Sequence, residues 1–109
     1  MVINVTEWGA GGGAQRSGMT MRLFEVPATR TLLLTDSSAD IELAIRPGEH
    51  VATFRDVDDF REKLHFYLGH AAERERIAAQ GFEHVRARCT YDAMAQTLIE
   101  AYDGLRRAA

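Results

Sequence analysis

The chain of 109 residues has little cysteine or proline and no long hydrophobic run. Its single cysteine, Cys89, excludes an intramolecular disulfide and fits a reducing compartment. No stretch of about 18 apolar residues occurs, and no basic segment followed by an apolar one opens the chain. We therefore expect a cytoplasmic protein without a membrane span. Because Cys89 lies on an apolar helical stripe, we interpret it as a small buried thiol and not as a nucleophile.

The chain also lacks a strong charge of either sign. Thirteen Lys and Arg against sixteen Asp and Glu give a net charge of −3, which does not indicate a nucleic acid or an acidic membrane surface as partner. Residues 1–35 contain three arginines and two glutamates, whereas residues 36–72 are clearly acidic. Any anion site is therefore expected near the front of the chain.

The four histidines do not have the spacing of a metal site. They stand at positions 50, 65, 70 and 84, with no pair at i, i+4 and no cysteine at zinc-like spacing. We predict no metal and no cofactor.

The first half of the chain alternates short apolar segments with loops and turns. The predicted elements are a strand at Val2 to Val5, a glycine-rich loop at Gly9 to Gly18, a helix at Met19 to Val26 that Pro27 ends, a strand at Thr31 to Thr35, a helical turn at Ala39 to Ala44 and a strand at His50 to Phe54. The second strand is apolar on both faces, as expected of a strand covered on both sides in a parallel sheet.

From Asp56 onward the pattern becomes helical. Asp56 is a predicted N-cap, Gly69 closes the first helix, and Thr90 caps the last one. Three strands separated by helical crossovers predict an α/β fold: a partial Rossmann-like three-layer unit with a short parallel sheet of about three strands, helices packed on it and a helical C-terminal half. Residues 1–109 are predicted to form a single domain.

Two glycine motifs resemble nucleotide-binding loops only in part. Gly9 to Ala14 has dinucleotide-type spacing, but the predicted helix starts several residues too late to meet a pyrophosphate. Gly13 to Thr20 has Walker-type spacing, but Met19 occupies the lysine position. Both patterns are therefore weak evidence for a nucleotide site of those classes.

A better candidate site lies at the predicted start of the helix that follows. If Gly18, Met19 and Thr20 open that helix, its free backbone N–H groups favour an anion. Arg22 or Arg16 is positioned in sequence to add a charge-assisted contact to a phosphate, and Glu25 to accept hydrogen bonds from vicinal hydroxyls of a ribose. The alternative is that Arg22 and Glu25, at i and i+3, simply pair on the surface.

The order of several segments resembles a known family. Arg22 to Ala28, Leu33 to Asp36, Arg46 to Val51 and the later helices, including Glu73 to Ala78 and Cys89 to Tyr91, are similar to the glycosyltransferase group-1-like domain of spore-maturation-protein-type glycosyltransferases. The resemblance covers about residues 15 to 103.

This resemblance implies the C-terminal, donor-binding part of a GT-B glycosyltransferase. In such enzymes the glutamate of the Phe-Glu pair, here Glu25, holds the donor's ribose. The helix start at Gly18 to Thr20 faces the diphosphate, and a basic residue near Arg22 assists it. Arg16 and Asp36 are candidates for a phosphate contact or for the rim. The implied ligand is a nucleotide sugar, bound without a metal.

The chain departs from the family pattern at Ser17, where a second glutamate often stands, and at Arg30, where glycine is usual. The acceptor domain and the first half of the donor domain are absent from this sequence, so we do not expect sugar transfer by this chain alone. We expect a homo-oligomer or a complementing glycosyltransferase half. The alternative function is a non-catalytic remnant or interaction module that acts through self-association.

Overall fold

The computed structural model describes residues 1–5 and 21–108. Its elements are β1 Val2–Asn4, α1 Arg22–Ala28, β2 Leu33–Asp36, a 3₁₀ turn at Ile41–Leu43, β3 Ala52–Phe54, α2 Val57–Gly69, α3 Ala71–Arg88 and α4 Tyr91–Ala108. The three strands form one parallel sheet in the order β1-β2-β3. The predicted partial Rossmann-like α/β unit, with its helical second half, is confirmed.

The sheet is covered on both faces because its central strand has apolar side chains on both. Leu33 and Leu34 are both fully buried, and they belong to two separate core clusters. Leu34 packs with residues of α2 and α3 such as Tyr67 and Ile77. Leu33 packs with Leu23 of α1 and with residues around the 3₁₀ turn. These two clusters are the interfaces of a three-layer arrangement.

Helix α3 packs against the segments that lead into β2 and β3. A Cβ atom placed on Gly81 lies 2.4 Å from the carbonyl oxygen of His50 and 3.4 Å from Cβ of Pro27. His50 precedes β3 and Pro27 precedes β2, so this close contact marks the amino edge. The carboxyl edge of the sheet lies at the opposite side.

The bounds of α1 differ from the prediction at both ends. The helix was predicted at Met19 to Val26, but it begins at Arg22, since the carbonyl of Met21 accepts the first helical hydrogen bonds, from the N–H groups of Phe24 and Glu25. Pro27 lies inside the helix, which continues to Ala28. Proline is tolerated there because the chain turns immediately afterwards, and the N–H of Arg30 bonds to the Pro27 carbonyl.

Smaller corrections apply to the strands. The strand predicted at Thr31 to Thr35 begins two residues later, at Leu33, and continues to Asp36. The strand predicted at His50 to Phe54 also begins two residues later, at Ala52. Both helix caps are confirmed: the Asp56 carboxylate accepts the N–H of Asp59 at 2.8 Å, and the Thr90 hydroxyl accepts the N–H of Ala93 at 3.1 Å. Among the described residues, no helix is both long and apolar enough to cross a membrane.

Cys89 is only half-buried, at the C-terminal end of α3. Its burial raises the pKa of its thiol, which keeps it protonated and weakly nucleophilic at neutral pH. The expectation of a small, unreactive thiol agrees with this environment, although the side chain is less deeply buried than the apolar stripe predicts.

Candidate functional site

A row of hydrogen-bonded polar side chains lies at the carboxyl ends of β1 and β2. Asn4 ends β1 and is 2% exposed. Its Oδ1 accepts a hydrogen bond from Nη1 of Arg22 at 2.7 Å, and its Nδ2 donates to Oγ1 of Thr35 at 3.1 Å. The Thr35 hydroxyl donates in turn to Oδ1 of Asp36 at 3.2 Å. Arg22 and Asp36 are thus connected through two buried residues.

This polar chain has a physical reason to be ordered. A buried amide that lacks partners costs about 1–3 kcal/mol, and the side chain of Asn4 has a partner at each of its two polar atoms. The carboxyl ends of parallel strands meet at one edge of a sheet, which is where open α/β sheets bind ligands. The guanidinium of Arg22 is therefore held at the binding edge of this fold.

Of the residues predicted for the site, Arg22 and Asp36 are brought together, and Glu25 lies one helical turn after Arg22 on α1. Glu25 is exposed. Among the ion pairs of the described residues none joins Glu25 to Arg22, whose guanidinium donates to Asn4. The surface-pair interpretation of these two residues is therefore not found in the structure.

The remaining predicted residues, Arg16, Gly18, Met19 and Thr20, lie outside the described residues. Their assignment to a phosphate site remains a prediction.

Asn4 and Thr35 were not predicted from the sequence as site residues. A signal for both was present, since Asn4 ends β1, Thr35 follows the apolar residues of β2, and the two are directly paired in the parallel register of β1 and β2. Period-2 patterns do not reveal which strands are neighbours, so this pairing became apparent only in the folded sheet.

A cavity of about 350 Å³ continues this edge beyond β2 and β3. It is lined in part by Ser37, Ser38, Thr53, Arg55 and Lys63. The Lys63 ammonium donates to the Thr53 carbonyl and, at 3.3 Å, to the Asp59 carboxylate. The cavity therefore presents hydroxyl groups, two basic side chains and the side chain of Glu42.

The carboxylate of Asp59 offsets part of that positive charge. Burial on its own raises the pKa of Asp59, but the N–H of Arg55 and the Lys63 ammonium outweigh burial and lower it. Asp59 is thus a carboxylate at neutral pH, paired with Lys63.

The part of the chain that the structure describes contains no cluster of metal-ligand side chains. Within residues 1–5 and 21–108, no three His, Cys, Asp or Glu side chains are grouped so that they could hold a metal ion.

Comparisons with known proteins agree with the resemblance noted from the sequence. The sequence profile of the family described as glycosyl transferase-like matches residues 1–100. The spore protein CgeB of Bacillus subtilis (strain 168) is 29% identical over 73 residues, which is 67% of this chain and 22% of that protein. The chain therefore spans less than a quarter of the length of this curated relative.

No solved structure matches the chain. The family match covers nearly the whole sequence, and the fold is the partial Rossmann-like unit that the resemblance implies. The chain belongs to the glycosyl transferase-like family.

Proposed function

We propose that this domain binds the nucleoside diphosphate part of a sugar donor at the carboxyl edge of β1 and β2. The observation that carries the proposal is the guanidinium of Arg22, held by the buried Asn4 at 2.7 Å. In a member of the glycosyl transferase-like family, a cation held at this edge suits the diphosphate of a nucleotide sugar.

Each proposed residue has a role that its chemistry allows. Arg22 offers the N–H groups not used by Asn4 to phosphate oxygens. Glu25, exposed one turn later, accepts hydrogen bonds from the ribose hydroxyls. Gly18 to Thr20 contribute backbone N–H groups to the phosphates, and Arg16 and Asp36 border the ligand.

The proposal concerns donor binding and assigns no catalytic base. Transfer requires an acceptor held in line with the donor and a group that accepts a proton, and the match with the curated relative covers only 22% of that protein. We therefore propose that the domain acts within a larger glycosyltransferase, assembled with a complementing half or as an oligomer, in the cytoplasm and without a metal.

An amide-resolved NMR titration with UDP, GDP, ADP and dTDP tests the proposal. We expect shifts centred on residues 18 to 25 at roughly millimolar ligand or below. Arg22→Ala removes a charge-assisted hydrogen bond, so its affinity should fall by about 10- to 100-fold. The affinity of Glu25→Ala for nucleotides should fall by a similar factor, whereas its affinity for inorganic pyrophosphate should be retained.

The matched controls are Arg61→Ala and Glu62→Ala, two exposed residues of α2 that change the net charge by the same amounts. Both should bind like the unaltered chain. If the controls lose as much affinity as the site variants, the effect is general electrostatics and the proposed site is wrong. Absence of any shift with all four nucleotides would leave donor binding without support.

A second candidate function is that of a non-catalytic interaction module. It is favoured by α4, in which no residue is buried although several large apolar side chains occupy it. The two functions make opposite predictions for the titration, since only the first requires nucleotide binding through Arg22 and Glu25.

A further inference from the structure

Helix α4 has an apolar stripe that is left exposed by the part of the chain that the structure describes. The 18-residue helix buries none of its residues. Six of its large apolar side chains are between 43% and 78% exposed: Tyr91, Met94, Leu98, Ile99, Tyr102 and Leu105. Steps of three and four residues place these side chains along one side of the helix, here called the α4 stripe.

The α4 stripe faces away from the rest of the domain. A groove of about 950 Å³ separates α4 from α1 and α3, and it is lined on the α4 side by Ala93, Gln96, Thr97 and Glu100. Of the stripe, only Met94 borders this groove. The more polar side of α4 thus faces the domain, and the apolar side faces outward, where a soluble chain rarely leaves so many large side chains together.

Charges beside the stripe favour one kind of partner. Asp92 in the first turn and Arg106 in the last turn stand fourteen residues apart, which is about four helical turns. They therefore border the same side of the stripe at its opposite ends, and both are exposed, whereas Asp103 on that side is half-buried. In an antiparallel pair of identical helices related by a two-fold axis, the same sides meet, so each Asp92 faces the Arg106 of the other copy.

A parallel pair does not give this match. The other side of the stripe is bordered by Thr97 and Gly104, which carry no charge, so Asp92 and Arg106 would find no charged partner across a parallel interface. Antiparallel packing also places the positive end of each helix dipole beside the negative end of the other. Charge complementarity thus selects a second copy in the antiparallel orientation.

We propose that the α4 stripe is the contact surface of an antiparallel homodimer. Leu98 lies at the two-fold axis and meets Leu98 of the second copy, while Tyr91 meets Leu105. A helix of this length is about 27 Å long, so the pair lies at the low end of the size range for specific interfaces. We therefore expect a dissociation constant of about 1–100 μM.

Sedimentation equilibrium of the full chain without nucleotide tests this proposal separately from donor binding. The unaltered chain should be a dimer at concentrations well above that range. Leu98→Asp places two carboxylates together at the axis and should weaken association by about 100-fold or more. The control Leu68→Asp changes a leucine of α2 that is 61% exposed, and it should leave the dimer intact.

A charge exchange tests the orientation. Asp92→Arg and Arg106→Asp each bring like charges together and should weaken the dimer several-fold, whereas the double variant should restore it. In a Cys89→Ser background, Leu98→Cys should form an intermolecular disulfide under mild oxidation, and Ile99→Cys much less.

Three outcomes would overturn the proposal. These are a monomer at about millimolar concentration, a dimer that withstands Leu98→Asp, and a charge exchange that fails to restore association. Circular dichroism of each variant verifies that a loss of dimer is not a loss of fold.

Discussion

Arg30 stands in a backbone conformation that most residues avoid. Its φ is 58°, in the left-handed region, at the turn between α1 and β2. The resemblance noted from the sequence implies glycine at this position, and glycine adopts this conformation without strain. The guanidinium carbon lies 5.9 Å from the centre of the Phe82 ring of α3, and this cation–π contact offsets part of the backbone strain.

Exchanging Arg30 for glycine or alanine separates these two contributions. Arg30→Gly relieves the strain and loses the ring contact, so its free energy of unfolding should stay near that of the unaltered chain. Arg30→Ala keeps the strain and loses the contact. We expect its free energy of unfolding to be about 1 kcal/mol lower than that of the glycine variant, as measured by urea denaturation.

Arg86 provides the control, since it lies in the last turn of α3 with helical geometry. There the order should reverse, with Arg86→Ala more stable than Arg86→Gly by up to about 1 kcal/mol. An alanine variant at position 30 that equals or exceeds the glycine variant would contradict the assigned strain.

At the scale of elements, Gly81 determines how closely α3 approaches the sheet. It is buried within the helix, where the backbone of His50 and the side chain of Pro27 lie against it. Glycine weakens a helix by about 1 kcal/mol relative to alanine. At this position the absence of a side chain permits α3 to contact the segments that lead into β2 and β3.

Gly81→Ala should therefore destabilise the domain in spite of its better helix propensity. The new Cβ would lie 2.4 Å from a backbone oxygen, so α3 must move, and we expect a loss of about 1–3 kcal/mol in the free energy of unfolding. Gly104→Ala is the matched control because no atom lies within 4 Å of its added Cβ. It should gain about 0.5–1 kcal/mol. An equal gain in both variants would mean that the close approach is not required.

At the scale of the whole molecule, a pair of histidines joins the segment before β3 to α3. The rings of His50 and His84 stack at 3.9 Å between centres and 12° between planes. The N–H of Arg46 donates to Nδ1 of His50 at 3.1 Å, and the His84 ring bonds the Ala44 carbonyl. Burial lowers the pKa of His50, His84 and Arg46 lower it further, and Glu49 opposes them.

This arrangement predicts a loss of stability on mild acidification. Because the folded chain lowers the pKa of His50 below 6.5, the unfolded chain takes up the proton first as pH falls. The contribution of neutral His50 to the free energy of unfolding is complete above about pH 7.5. It decreases as pH falls through 6.5 toward the pKa of His50 in the folded chain. Urea denaturation between about pH 7.5 and 5.5 measures this slope.

His50→Gln should flatten the slope in that range, whatever its effect on absolute stability. His65→Gln, at an exposed position of α2, should leave the slope unchanged. The carboxylates of Asp59 and Glu73 also have lowered pKa values, but their contribution is lost only below about pH 4.5. A slope that survives His50→Gln would show that other groups carry it.

Local features of the fold were predictable from the sequence, and distant pairings were not. The caps at Asp56 and Thr90 depend on residues three positions apart, and the two-faced burial of Leu33 and Leu34 follows from an apolar run. The bounds of α1 were wrong because hydrogen bonding, which begins at the Met21 carbonyl, decides them. In the candidate site, residue type predicted Arg22, whereas its contact with Asn4 spans 18 residues.

Residue types and local spacing were enough to predict the class of fold, the family and the helical periodicity of the second half. Each depends on residue types and on spacings within about one element, which a linear chain contains in full. Folding of the chain was needed to reveal that Asn4 and Thr35 connect Arg22 with Asp36, and that the apolar side of α4 faces outward. These features depend on which strands become neighbours and how a helix is rotated against the sheet, and packing between distant segments settles both.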